Sequence, residues 1–236
     1  MSRLVATLAC DVRLQFRNGF YWAVAFLLAT LVVVIGRLPS LDWAPVLPPL
    51  VLGNLSLATF FFMAGLLLLE KEEGTLEALV VTPLTAGEYL GSKLVTLTGL
   101  SIVEHLVICV ITVGFDFSPL PLVAGVVSAA ALYCLAGFAA AVRYDSINEL
   151  LFPTVVWVTL FALPILDYAG LWSTWLVYLH PFQAPLVILE GAFFPLETWE
   201  WVYGLGYAAL WVWLAFMWSR REFGRFVIAT AGGALK

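Results

Sequence analysis

The sequence predicts an all-α polytopic membrane protein with six transmembrane helices. Of its 236 residues, 63% are hydrophobic and only 11% are charged, whereas soluble domains carry about 25% charged residues. The mean hydropathy is +1.00. The apolar residues fall into long runs separated by short polar stretches, and a run of about 20 such residues is what a helix needs to cross a bilayer. A single transmembrane domain over residues 1–236 is therefore expected.

Six apolar runs qualify as spans. The first is not followed by a small-residue cleavage site, so it is expected to be retained as a span rather than removed as a signal peptide. The predicted spans are residues 20–38, 47–69, 90–113, 120–142, 150–166 and 202–218.

The positions of lysine and arginine predict the orientation. Cytoplasmic loops of membrane proteins carry the excess of these cations. With both termini in the cytoplasm, Arg37 is the one cation placed on the outer side, and the protein is expected in the plasma membrane. The cations then on the cytoplasmic side are Arg3, Arg13, Arg17, Lys71, Lys93, Arg143, Arg220, Arg221, Arg225 and Lys236.

Residues 2–18, before the first span, have the pattern of an amphipathic helix. Apolar side chains recur every fourth residue and arginines occupy another side, which is typical of a helix lying in the membrane interface. A simple cytoplasmic extension of the first span is the alternative. The apolar residues are Leu4, Leu8, Val12 and Phe16, and the basic ones are Arg3, Arg13 and Arg17.

Residues 171–200, before the last span, are too many for a turn and too interrupted for a span. Prolines and a glycine divide this segment at Pro181, Pro185, Gly191 and Pro195. Non-helical backbone at membrane depth is tolerated where protein or a water-filled cavity surrounds it. Two re-entrant half-helices on the outer side are predicted, at about 171–178 and 184–194.

The polar stretch between the second and third spans is the most informative part of the chain. Four carboxylates and one lysine occur within the eight residues from Glu70 to Glu77. In so lipophilic a protein, this much charge is expected where the segment lies in water and contacts a partner there. Residues 70–89 are therefore predicted to be a cytoplasmic coupling loop.

Local signals predict that this loop is stiff. Thr75 is placed to cap the amides of a short helix. The sequence Thr82-Pro83 then ends that helix, because the residue before a proline is pushed out of the helical region. Thr85 and Glu88 have the spacing of a capping box that would start the next helix. Helix, corner and helix would together transmit a push that a flexible linker would not.

These residues resemble the corresponding loop of ABC type-2 permeases, the membrane subunits of ATP-binding-cassette exporters. In that family the loop forms the coupling helix, which docks into a groove on the ATPase subunit. The resemblance extends to the N-terminal helix, the six spans and the re-entrant helices. It assigns coupling to the ATPase subunit to Glu70, Glu72, Glu73, Gly74, Thr75, Leu76, Glu77, Leu79, Thr82 and Pro83. More weakly, the small size and the opening residues 10–18 resemble permeases described as fluoroquinolone exporters.

The resemblance implies partners for the chain. A phosphate-binding loop needs glycines followed by Lys and Ser/Thr, and Gly91-Ser92-Lys93 has the wrong order. ATP and Mg²⁺ would be bound by two copies of a separate ATPase subunit, and a second permease chain, identical or homologous, would complete the complex. No catalytic residue, metal site, bound cofactor or nucleic-acid partner is expected of this chain. Its cargo would be a hydrophobic or amphipathic molecule, drug-like or lipid-like, moved outward.

Polar residues inside the spans are the candidates for a translocation path. Glu104 and His105 lie in the middle of the third span, where ionisable side chains are costly and usually face protein or water. With Asn54, Phe61 and Ser101 they form the candidate path. The alternative is a protonated Glu and a neutral His that hydrogen-bond between helices, with Phe61 in packing.

Two other classes of function compete. A secondary transporter or channel would favour inverted repeats with matching discontinuous spans, and the sequence shows no convincing repeat. An intramembrane enzyme needs a nucleophile with a base, paired aspartates or repeated metal-binding Asp motifs. None of these patterns is found, which favours a transport subunit.

Overall fold

The computed structural model describes residues 3–38, 41–76 and 84–228. These ranges fold into eight α-helices, of which α3 and α6 each contain an irregular turn. The helices are α1 Arg3–Arg17, α2 Phe20–Gly36, α3 Leu47–Glu72, α4 Ala86–Val113, α5 Pro119–Ala141, α6 Ile147–Tyr168, α7 Gln183–Glu190 and α8 Thr198–Glu222.

The all-helical membrane class is confirmed. Five helices, α3, α4, α5, α6 and α8, are long and apolar enough to cross a membrane, and the pair α1–α2 makes six if it counts as one bent span. The two ends of the helix bundle differ in chemistry. We refer to the end that carries Arg17, Lys71 and Arg143 as the basic end, and to the opposite end, with Trp172 and Trp199, as the aromatic end.

The N-terminal helix α1 leaves the axis of α2 by 60°. The turn falls at Gly19, whose φ of +79° is readily reached by glycine. The predicted apolar side of α1 is largely exposed, for example at Val12 and Phe16. Its buried side is polar and carries Asp11 and Gln15. This third side, which was not predicted, packs against α4.

Helix α5 is the centre of the bundle. In its apolar window 72% of the residues are buried, against 22% in α6 and 17% in α8. Helices α3, α4, α7 and α8 pack around it. The outer faces of α6 and α8 are left with exposed apolar side chains such as Phe152 and Val202, as expected for faces that meet lipid or another chain.

Helix α3 contains a π-helical turn at Ser56–Phe61. Helix α5 comes close to this turn at Gly137, where a Cβ atom would lie 2.5 Å from the carbonyl oxygen of Phe60. No side chain fits there, so glycine is what allows the two helices to meet. The hydroxyl of Thr59 donates to the Leu55 carbonyl at 2.6 Å. Such π turns insert one extra residue and occur often near functional sites.

Within residues 171–200, the observed elements have different bounds from the predicted half-helices. The first half-helix, predicted at 171–178, is a short 3₁₀ turn at Trp175–Leu179. Residues 171–174 form a loop instead, because Gly170 turns the chain with a φ of +70° and the Asp167 carboxylate accepts the Thr174 N–H at 3.3 Å. The second half-helix, predicted at 184–194, is α7. It ends at Glu190, and a series of turns follows.

Helix α7 is held between two spans. A Cβ atom on Gly125 of α5 would lie 2.7 Å from the Leu189 side chain, and one on Gly204 of α8 would lie 2.6 Å from Ile188. These close approaches bury α7 in the bundle at the aromatic end. Residues 183–190 are therefore packed inside the protein.

Candidate functional site

The predicted coupling loop is described on both sides of a gap. Glu77, Leu79, Thr82 and Pro83 lie outside the described residues, and so does the predicted corner. After the gap, α4 begins with the predicted capping box. The Thr85 hydroxyl accepts the Glu88 N–H at 3.2 Å, and the Glu88 carboxylate accepts the Thr85 N–H at 2.8 Å.

Residues 70–76, which we call the coupling segment, comprise the last three residues of α3 and the turn that follows them. Gly74 has a φ of +67°, the left-handed conformation that commonly follows the last residues of a helix. The Thr75 hydroxyl donates to the Glu70 carbonyl at 3.0 Å, so its donor bond closes the end of α3. The amides that it was expected to cap lie beyond residue 76, outside the described residues.

The carboxylates of the coupling segment have different environments. Glu72 is exposed, and within the described part of the chain it forms no ion pair. Glu73 is also exposed and pairs with Arg17 of α1 at 2.7 Å. Glu70 is 5% exposed and is bonded inside the protein. Glu72 is therefore the carboxylate that is free to meet a partner, whereas Glu70 holds the segment in place.

Glu70 belongs to a buried charge cluster, which we define as Asp11, Glu70, Tyr89, Ser92 and Lys93. The Lys93 ammonium lies 2.5 Å from Glu70 Oε1 and 3.1 Å from Asp11 Oδ1. The Tyr89 hydroxyl donates to Glu70 Oε2 at 2.5 Å, and the Ser92 hydroxyl donates to Asp11 Oδ2. The cluster thus joins α1, the end of α3 and the start of α4.

Lys93, one of the cations expected on the cytoplasmic side, has a completely buried side chain. Burying an ammonium is costly unless charge and hydrogen bonds compensate it. Two carboxylates do so here, and the Tyr89 ring centroid lies 4.8 Å from Nζ, close enough for a cation–π contact.

Lys71 fixes the coupling segment to residues 142–146, the second connection at the basic end, which joins α5 to α6. Its ammonium donates to the carbonyls of Val142 and Tyr144, each at 2.7 Å, and lies 3.2 Å from Asp145 Oδ1. It thereby satisfies carbonyls left open where α5 ends. A cavity of about 640 Å³ lies alongside, between the coupling segment, residues 142–148 and Phe226.

The structure brings together four residues of the candidate translocation path, Asn54, Ser101, Glu104 and His105. The Asn54 amide donates to Glu104 Oε1 at 2.8 Å and lies 3.3 Å from His105 Nε2. His105 Nδ1 bonds to the Ser101 carbonyl at 2.7 Å, which places the proton on Nδ1 and leaves Nε2 to accept. Phe61 packs on Phe60 with ring centroids 5.6 Å apart, on the exposed side of α3.

Glu104 and Ser101 also have atoms without a partner. Both residues are buried, and neither Glu104 Oε2 nor the Ser101 hydroxyl has a hydrogen-bond partner among the residues that the structure describes. Unsatisfied buried polar atoms are rare and call for water, a proton or a ligand. The arrangement is compatible both with a path for a polar group and with the structural alternative.

Replacing Glu104 with alanine should destabilise the protein more than replacing it with the neutral glutamine. Glu104→Gln keeps a carbonyl oxygen for Asn54, whereas Glu104→Ala removes one acceptor of the half-buried Asn54 amide, a loss of about 0.5–1.5 kcal/mol. We expect a lower unfolding temperature for Glu104→Ala than for Glu104→Gln, measured on detergent-solubilised protein. Val103→Ala, on the exposed face of α4, is the control. Equal losses for the two Glu104 variants would contradict the assigned hydrogen bond.

Comparison with known proteins identifies the family. The model of the fluoroquinolones export permease protein family matches residues 2–231. The chain belongs to this family. Two curated relatives, both named fluoroquinolones export permease protein, come from the CDC 1551/Oshkosh and ATCC 25618/H37Rv strains of Mycobacterium tuberculosis. Each is 34% identical over 236 residues, which covers 98% of this chain and 99% of the relative.

Membership in this family confirms the resemblance to fluoroquinolone-export permeases and favours transport over the enzyme alternative. The relatives are named for export, and the match runs through all eight helices. The chain is a multi-pass membrane permease.

Proposed function

We propose that the chain is the membrane subunit of an ATP-driven exporter that a separate ATPase moves through the coupling loop, residues 70–89. The observation that carries the proposal is the contrast within the coupling segment. Its base is fixed by buried ion pairs, while Glu72 is exposed at the basic end. A segment that is held firmly on one side and free on the other suits a docking element that passes a force into the helices.

The bonds that fix the segment support this role. Glu70 connects it to α4, Glu73 to α1 and Lys71 to the end of α5. A displacement of the segment would therefore reach three helices at once. Tight packing makes such displacements discrete, because a packed interior does not deform continuously.

The second connection borders the same surface. Asp145 is 91% exposed at its side chain and Ile147 is 60% exposed, and both line the cavity beside the coupling segment. An ATPase subunit that grips Glu72 would also cover these residues. Docking would then involve both connections, with the coupling loop as the principal contact.

The proposed complex contains two copies of the ATPase, which bind ATP and Mg²⁺, and a second permease chain, identical or homologous. The basic end faces the cytoplasm of the cell and carries both termini. Arg17, Lys71 and Arg143 lie there, whereas Arg37 ends α2 at the opposite side. This distribution follows the rule that cationic residues stay on the cytoplasmic side of the plasma membrane.

The proposed cargo is an amphipathic, drug-like molecule of the fluoroquinolone class, as the names of the relatives suggest. Such a ligand needs an apolar surface with a few placed polar groups. Asn54, Glu104 and His105 would supply the polar groups, and the unpartnered Glu104 Oε2 would accept a hydrogen bond from the cargo. Exposed Leu57 and Phe61 on α3 would supply apolar contact.

The test is co-expression of the permease with ABC ATPases from the same genome. We expect one ATPase to co-purify through a tag on the permease, and its hydrolysis of ATP to rise when a fluoroquinolone is added. If no ATPase co-purifies while cells that express the permease alone still export the drug, the chain is a secondary transporter or channel subunit and the proposal fails.

A further inference from the structure

The buried charge cluster is the strongest feature that the proposed docking role does not by itself explain. Docking needs exposed groups, yet Lys93 is completely buried and Asp11 nearly so. The two residues lie 82 positions apart in the chain. They connect the N-terminal helix to the third span through a polar contact that contributes no exposed surface. The role of the cluster must therefore be to connect helices inside the protein rather than to contact a partner.

We propose that Lys93 is the positioning residue of the coupling segment, and that it makes α1, residues 70–76 and α4 move as one unit. The direction of the force rests on the proposed function. The mechanical unit itself is a property of this chain, and it is tested separately below.

Two points of attachment hold α1 to this unit. Asp11 is bound by Lys93 and Ser92, and one and a half turns later Arg17 pairs with Glu73. Six residues of helix separate the two points by about 9 Å. The buried Asp11 contact is the stronger of the two, because the Arg17–Glu73 pair is exposed to solvent and exposed ion pairs contribute little; together the two contacts restrict pivoting of α1. The coupling segment is bonded to α1 at one of these points directly and at the other through Lys93.

The contact between α1 and α4 is polar to an unusual degree. Besides the Asp11 bonds, Gln15 is fully buried and donates to the Thr96 hydroxyl at 2.8 Å. Phe16 and Val12, which an ordinary docked helix would bury, are exposed. Leu14 adds an apolar contact with the core cluster that contains Tyr89 and Leu90 of α4. Attachment of α1 depends on this contact and on the polar bonds, and removing Lys93 would leave the buried carboxylates uncompensated.

Lys93 also connects the unit to the candidate translocation path. Glu104 lies eleven residues further along α4, which is close to three helical turns. Both side chains are buried and on nearly the same side of the helix. A shift of α4 driven at Lys93 would thus move Glu104 with respect to Asn54 on α3.

The mechanical unit is tested by pulsed electron paramagnetic resonance on the permease in liposomes. Cys10 is exposed and lies next to Asp11, whereas Cys109 and Cys134 are buried. One spin label goes on Cys10 and a second on Glu72→Cys. With Lys93 present we expect a narrow distance distribution. In Lys93→Met it should broaden at least twofold, and Lys93→Arg should restore it.

Arg143→Met is the matched control. It also removes a paired cation at the basic end, but Arg143 lies outside the coupling segment and pairs with Glu222 of α8 at 3.2 Å, so the distribution should stay narrow. If Lys93→Met does not fold, Asp11→Asn, which keeps the side-chain volume, replaces it with the same expectation. An unchanged distribution in a folded Lys93→Met or Asp11→Asn protein overturns the inference.

A second readout separates positioning from plain stability. In the complex with its ATPase, Lys93→Met should still bind the ATPase and hydrolyse ATP, but drug moved per ATP should fall at least tenfold. Unchanged drug moved per ATP would overturn the role of Lys93 in coupling. If the wild-type permease binds no ATPase, the proposed function fails, whereas the spin-label distances still decide whether the unit exists.

Discussion

A Glu72→Lys permease should insert and fold like the wild type but lose its ATPase partner and its drug export. Glu72 is exposed, and none of the described side chains forms an ion pair with it. Reversal of its charge therefore alters the docking surface while the internal bonds remain. Charge reversal at a contact typically weakens it by at least about tenfold, or about 1.4 kcal/mol. Co-purification of the ATPase measures the loss.

Asp116→Lys is the control for this variant. It produces the same change in net charge at an exposed residue of the opposite end, so ATPase binding should not change. Gly74→Pro should also disrupt the contact, because proline fixes φ near about −65° where the chain has +67°. If Glu72→Lys binds the ATPase and exports drug as well as the wild type, the coupling segment is not the docking element.

The Gly137→Leu permease is expected to fail to fold. A Cβ atom at Gly137 would lie 2.5 Å from the Phe60 carbonyl oxygen, and this neighbour is backbone of the π turn in α3. Overpacking a core typically costs about 1–3 kcal/mol, and occasionally more. Here α5 is the most buried of the five long helices, so we expect little monodisperse protein in size-exclusion chromatography.

Gly99→Leu makes the same change on α4, where no atom lies within 4 Å of the new Cβ. Its yield should match that of the wild type. A folded Gly137→Leu protein with an unchanged unfolding temperature would show that α3 and α5 do not approach as closely as described.

The five long apolar helices could be predicted because they depend on local composition. Membrane helices satisfy their backbone bonds internally, so an apolar run of sufficient length nearly determines its own structure. The start of α4 was predicted from Thr85 and Glu88 for the same reason, since a capping box involves only four neighbouring residues. The capping box begins α4 at Ala86, four residues before the apolar run itself.

The buried charge cluster could not be predicted from such local signals. It pairs Lys93 with Glu70 and Asp11 across 23 and 82 positions, and a charged residue at the edge of a span ordinarily lies in the interface. One signal was available. Thr7, Asp11 and Gln15 recur every fourth residue and place a polar stripe between the apolar and basic sides of α1, which indicates a polar docking partner.

ATP-dependent transport into inverted membrane vesicles is the most direct test of the central claim, that a separate ATPase moves this permease to export drug. Vesicles that contain the permease and its ATPase should accumulate a radiolabelled fluoroquinolone when ATP is supplied, and vesicles with the Glu72→Lys permease should not. Equal accumulation without ATP, or in vesicles that lack the permease, would contradict the account.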